Sequence, residues 1–168
     1  MKLNPYRKEW SQWLPLALSA LAQDPPDYKS VMPLMPVPAR IDVPPVSLTG
    51  EVKVALLSTS GAYNAQSQPP FAVSNVVGDI THRVLDVDLP DEAIEFAHEH
   101  YDRTAALADR ECVLPRRTLR ALGVRLTRSM ISWSGFLLDW PSFIEATIPQ
   151  IVARVHSEGA NAAVLVPI

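Results

Sequence analysis

Val52-Lys53-Val54-Ala55-Leu56-Leu57-Ser58-Thr59-Ser60-Gly61 (residues 52–61) is the stretch on which the fold turns. Its first six residues form a short β-rich run, and the polar Ser58-Thr59-Ser60-Gly61 that follows reads as a turn. On its C-terminal side, residues 64–77 read as loop, and Arg83 to Val87 (RVLDV) as a second strand. Pro90, Asp91 and Glu92 then carry a helix-start signature. Apolar spacing at Ile94, Ala97, Tyr101, Ala105 and Ala108 predicts a helix from about 91 to 108. Pro115 opens another, with Leu119 and Leu122 on one side and Gly123 as its stop. A third strand lies within Val124–Trp133 and ends in Ser132-Trp133-Ser134-Gly135.

The segment 141–158 is the clearest helix. Phe143, Ile144, Ile148, Ile151, Val152 and Val155 form a broad apolar face, and Pro149 implies a kink. Gly159 suits a C-cap, and Ala162 to Val166 reads as a fourth strand of the buried type. Strands alternating with helices require crossovers, hence parallel pairing. The expected fold is therefore α/β: an open, mainly parallel sheet of about four strands with flanking helices, Rossmann-like and three-layered. The last strand has no helix after it in the sequence, so one of its faces is expected to have less cover.

Two segments precede this domain, which spans 50–168. Residues 1–22 predict an amphipathic helix with Trp10, Trp13, Leu14, Ala17, Leu18 and Leu21 near one face. Lys2, Arg7 and Lys8 before an apolar stretch also fit the opening of an export signal, but Glu9, Gln12 and Pro15 break that pattern. Residues 23–49 hold seven of the sixteen prolines, which predicts an extended, polyproline-like arm with neither helix nor central strand. Val31, Met32, Leu34, Met35, Val37 and Ile41 make the arm too apolar for a free linker.

Of the 168 residues 48% are hydrophobic, enough for a real core. The net charge of −3 gives no general attraction to nucleic acid or an anionic membrane, and no apolar run approaches the ~20 residues of a bilayer span. The one cysteine, Cys112, forms no internal disulfide and fits a reducing, cytoplasmic setting. Flanked by apolar residues, it is expected to be buried and structural.

In open parallel sheets, ligands sit beyond the carboxyl ends of the strands. There, Thr59, Ser60 and Gly61 offer hydroxyls and amides to an anionic group, although a plain turn accounts for the same residues. Asp79, His82 and Arg83 precede the second strand. Arg83 is suited to clamping a carboxylate with Asp79 orienting it, and a structural Asp–Arg pair fits equally well. Ser132 and Ser134 complete the candidate set. In His98-Glu99-His100-Tyr101-Asp102, a helix would put His98 and Asp102 on one face. Glu99 and His100 read as solvated, whereas His98, Tyr101 and Asp102 are candidates to line the site. No H-E-x-x-H spacing occurs and no metal is expected; without G-x-G-x-x-G or a Walker A sequence, nucleotide binding has no support either. His156 is expected on the exposed side of the last helix.

In order along the chain, VKVALLSTSGAY (52–63), GDITHRVLDVD (78–88), HEHYD (98–102), CVLPRRTLRAL (112–122) and HSEGANAAVLVP (156–167) resemble the selenoprotein B family of glycine, sarcosine, betaine and D-proline reductases. The D-proline reductase type is the nearest in look. Met130 departs from the family pattern, where a histidine is expected, as does Ser132-Trp133-Ser134-Gly135, where the loop is richer in glycine. The resemblance implies reductive cleavage of a C–N bond with a disulfide as acceptor. The reactive group is a selenocysteine or cysteine, followed two residues later by cysteine, directly after the strand matching Ala162–Val166.

That group is therefore expected just past Ile168, with the sequence cut where a UGA codon was read as a stop. The 168 residues alone are expected to show no dithiol-driven turnover. A low-pKa chalcogenide is ionised and polarisable at neutral pH, and dithiol exchange resets it. The resemblance also implies a pyruvoyl-containing partner subunit that binds a small amino-acid or amine substrate through a Schiff base. The roles it leaves to Thr59, Ser60, Gly61, Asp79, His82, Arg83, Ser132 and Ser134 are substrate positioning and anion binding. The alternative expectation is a non-catalytic relative that serves as a binding or interaction module.

Overall fold

The computed structural model describes residues 7–37, 44–99 and 101–168. Its sheet strands are β1 (Lys53–Ser58), β2 (Ala62–Asn64), β3 (His82–Asp86), β4 (Ile94–Phe96), β5 (Arg125–Trp133) and β6 (Ala162–Val166). Four form an open sheet in the order β3-β5-β1-β6, and β2 pairs with β4 in a separate ribbon. β1 is parallel to both β5 and β6 and is buried from Val54 to Ser58, as its unbroken apolar run requires. β3 runs antiparallel to β5. The reason lies in the connection: no crossover helix separates β1 from β3. From Thr59 to Thr81 the chain makes β2 and loops but no crossover, and β3 starts opposite Trp133 at the carboxyl end of β5, so it runs in the reverse direction.

The helices are α1 (Arg7–Leu21), α2 (Tyr28–Val31), α3 (Thr104–Ala108), α4 (Arg116–Ala121), α5 (Trp140–Ser142) and α6 (Ile148–Ser157). One sheet face carries Leu56, Leu85 and Met130 packed with Ile94, Phe96 and Leu114. The other carries Leu57 and Ile131 under Phe143 and Ile151 of the helical segment before β6. A third cluster joins Trp10, Trp13, Ala17 and Leu21 of α1 to Val31 and Leu138. Among the described residues no helix is long and apolar enough to cross a membrane.

Several local expectations are corrected. The helix expected over 91–108 is a 3-10 turn (Asp91–Ala93), then β4, an irregular stretch and the short α3. Ile94 and Phe96 are buried with Glu95 between them, and this two-residue period wins because β2 supplies an antiparallel partner. His98 and Asp102 therefore share no helical face. The arm is not wholly extended, for α2 and a 3-10 turn (Met32–Leu34) form between the prolines. Asp27 caps α2 by accepting from the Ser30 amide at 3.1 Å, and Pro33 falls at the start of a turn, where its missing N–H costs nothing. Ile41 and Pro38 lie outside the described residues, as does His100.

Cys112 is exposed, because Val113 and Leu114 take the interior positions of that turn. Leu122, expected on the apolar side of its helix, is 74% exposed beyond the end of α4. The last long helical run is α5, then a π-helical segment (Phe143–Thr147), then α6, and Pro149 falls in the first turn of α6. β6 is not of the buried type: its residues alternate between half-buried and exposed, because β1 covers only one of its edges.

Candidate functional site at the carboxyl edge of the sheet

The carboxyl ends of β1, β5 and β6 are bound into one layer. The Thr59 amide donates to the Val166 carbonyl at 3.1 Å, and the Gly61 amide to the Trp133 carbonyl at 3.1 Å. The Ile168 amide donates to Thr59 Oγ1 at 2.7 Å, and the Ala97 amide reaches the Gly61 carbonyl at 3.0 Å. Four chain segments distant in sequence thus meet within one hydrogen-bonded layer.

A pocket of about 180 Å³ opens there, lined by His98, Tyr101, Gly135, Phe136 and Ile168. The His98 side chain is 5% exposed, and its ring lies against that of Tyr101 with centroids 4.7 Å apart. The Tyr101 hydroxyl donates to the Ser60 carbonyl at 2.9 Å. Burial pushes the Tyr101 phenol up to about 12, with a small opposing pull from Arg103 and a further push from Cys112. It is therefore a protonated donor throughout the neutral range.

Gly135 makes the close fit possible. A Cβ at that position would lie 3.0 Å from the Thr59 carbonyl oxygen, 3.1 Å from that of Ile168 and 3.3 Å from His98 Nε2. Gly61 is bound even more closely: with φ at +68°, its Cβ would stand 2.4 Å from the Ala97 carbonyl oxygen.

The expected site residues fall into two groups. Thr59, Ser60, Gly61, Ser132 and Ser134 all stand at the carboxyl ends of β1 and β5, close to the pocket. Their hydroxyls, however, hold the layer together. Ser58 Oγ donates to Ser60 Oγ at 3.0 Å, Ser132 Oγ accepts from the Ala62 amide at 2.8 Å, and Ser134 Oγ donates to the Phe136 carbonyl at 3.3 Å. Ser60 and Ser132 are fully buried. Thr59 alone is half-buried, with its hydroxyl on the Ile168 backbone.

Asp79, His82 and Arg83 form the second group, at the far side of β5. Arg83 donates through Nε to the Pro69 carbonyl (3.0 Å) and through Nη2 to that of Pro70 (3.3 Å). Its guanidinium also stacks 4.2 Å over the Phe71 ring. It clamps the 69–71 loop, and β5 and β1 stand between it and β6.

Asp79 accepts from the Ala72 and Thr81 amides, each at 2.8 Å, and from the Thr81 hydroxyl in a short contact. Burial opposes its ionisation, yet these bonds and the Arg83 charge outweigh that and hold its carboxyl below the usual range. Asp79 also borders a narrow crevice shared with His98, Ser134 and Phe136, so it is the member of this group nearest the pocket. Burial, then the Arg83 charge, lowers the His82 imidazole. Asp102 is exposed and accepts from the Thr104 amide at 2.9 Å, away from the pocket lining.

Gly135, Phe136 and Ile168 are pocket residues that the sequence reading did not single out. Gly135 had a visible signal, a glycine directly after a serine at a strand end. Phe136 and Ile168 had none, since an apolar residue beside a turn reads as ordinary packing. Among the described residues no three histidine, cysteine, aspartate or glutamate side chains converge as a metal site would require. Comparison with known protein families, characterised protein sequences and solved structures finds no match.

Proposed function

We propose that this chain belongs to a reductase of the glycine, sarcosine, betaine and D-proline type, acting in the cytoplasm beside a pyruvoyl-bearing partner on a small amino acid or amine. The observation that carries the reading is a convergence. Three of the segments that resemble that family, 52–63, 98–102 and 156–167, are far apart in sequence, yet His98 and Tyr101 of the second line one pocket with Ile168, which follows the third and is held through its amide by Thr59 of the first. A selenocysteine or cysteine borne just after Ile168 belongs, on this reading, at the mouth of that pocket. His98 presents an imidazole there and Tyr101 a protonated phenol, beside the apolar side chains of Phe136 and Ile168. The two electrons for C–N cleavage come from the chalcogen pair, which is oxidised in the step and reset by an external dithiol.

The test begins with the nucleotides after the Ile168 codon. An in-frame UGA with a cysteine codon two positions on is expected. Selenium-supplied expression of the extended chain with its partner should then give dithiol-dependent reduction of D-proline, glycine, sarcosine or betaine. A different stop codon with no in-frame extension, or no turnover of any of the four, overturns the reading.

One observation favours a second reading, a non-catalytic binding module. The hydroxyls of Ser60, Ser132 and Ser134 are engaged inside the layer, which leaves few polar groups for chemistry. Ligand binding at the His98 pocket without turnover by the extended chain would support it.

A further inference from the structure

The two edges of the main sheet are built differently. β3 carries His82, Arg83 and Asp86, and Asp86 pairs with Arg128 of β5 at 3.5 Å. Charges of this kind discourage a further strand. β6 reads Ala162-Ala163-Val164-Leu165-Val166, with no charge, no proline and no bulge across five consecutive pairs with β1. Among the described residues no strand pairs with its outer edge. Leu165 is 65% exposed on this strand, and Ala163 is exposed beside it.

The surface continues onto α6. Leu165 is in register with Leu57, which packs under Ile151, so Leu165 and Ala163 share the sheet face on which α6 lies. Arg154 turns towards β5, where Nη2 donates to Ser129 Oγ at 2.7 Å. Val152 lies on the side of α6 away from Arg154 and is 46% exposed.

We propose that the β6 edge is the contact between two copies of this chain, paired antiparallel about a twofold axis through Val164. An edge strand is self-complementary under a twofold, since each copy offers the other the amides and carbonyls it needs. The side chains match in the same arrangement. About Val164, Ala163 of one copy stands opposite Leu165 of the other, small against large, twice over. No unbalanced charge opposes the contact, because Arg154 is paired with Glu158 at 2.7 Å. A five-residue ribbon alone falls short of the roughly 800 Å² a partner that a specific dimer buries, so the contact draws in the exposed Leu165 and Val152 of both copies. The inference does not need the reductase reading, but a segment after Ile168 of the kind that reading adds must leave this edge open.

Sedimentation equilibrium of the 168-residue chain tests it, under reducing conditions because Cys112 is exposed. The expected mass is twice the 18.5 kDa of one chain. Leu165→Lys should halve that mass and leave the circular dichroism unchanged, since the side chain is exposed in the single copy. In a Cys112→Ser background, Val164→Cys should oxidise to a covalent dimer, because its Cα would face its copy at about 4.5–5.5 Å, within disulfide reach. A wild-type monomer overturns the proposal, whether a later segment or a different subunit covers the edge. A dimer that survives Leu165→Lys and leaves Val164→Cys unlinked overturns it as well.

Discussion

Gly61 and Gly123 both hold positive φ, +68° and +78°, but only Gly61 is built against another segment. At Gly123 a Cβ would meet nothing within 4 Å, so Gly123→Ala carries only the left-handed strain, about 1 kcal/mol. Gly61→Ala adds a collision with the Ala97 carbonyl, and its total loss should be about 3 kcal/mol. Urea denaturation of both variants checks this, and equal losses would contradict the close packing. The sequence marks each glycine as a turn, but only the fold shows which one another backbone approaches. The same limit applied to Arg83 and Asp79, whose residue types suit ligand binding and structural clamping equally.

Acid should reveal the two titratable groups of that clamp. The His82 imidazole is held below 6.5 in the folded chain, so the unfolded chain takes the proton first. The stability tied to it is intact above pH 6.5 and is lost as pH falls through the lower folded value. Asp79 is likewise depressed, from 3.8, so its contribution is present above that value and is lost in stronger acid. His82→Gln should flatten the first decline in the urea midpoint and leave the second. Asp79→Asn should do the reverse.

The N-terminal helix is an element whose role lies in what it supports. Trp10 and Trp13 are buried against Leu138 and Val31, and Trp13 Nε1 donates to the Val31 carbonyl at 2.9 Å. Phe136, which packs at the margin of this cluster, also lines the His98 pocket, so α1 braces one pocket wall from behind. Trp13→Ala should cost about 4 kcal/mol in urea denaturation and expose the 136–139 segment to limited proteolysis. A loss below 1 kcal/mol would show that α1 is only loosely attached. The helix was legible because its apolar residues recur at helical spacing. β4 was not. Ile94, Ala97 and Tyr101 satisfy a helical period, and nothing near them in sequence reveals that Ala62–Asn64 will pair with Ile94–Phe96.

For the whole molecule, the open and mostly parallel sheet could be read from short apolar runs that alternate with helices. The reversal of β3 could not, because strand direction depends on which edge the intervening loop leaves from. This architecture fixes how the molecule should open. β1 and β5 lie inside the sheet, bonded on both sides, with one apolar cluster on each face. Amides of Leu56, Leu57, Met130 and Ile131 can exchange only when both clusters part, which is global unfolding. α1 meets the body mainly through Leu138, Val77 and Phe136. The Arg7–Glu145 ion pair adds little, since both side chains are largely in water. Native-state hydrogen exchange should therefore give Trp13 to Ala17 a lower opening free energy than β1 and β5. The two sets should merge only as denaturant makes global unfolding the easier route. Equal protection without denaturant would mean that α1 unfolds with the sheet as one unit, and its bracing of the pocket would then be permanent rather than open to release.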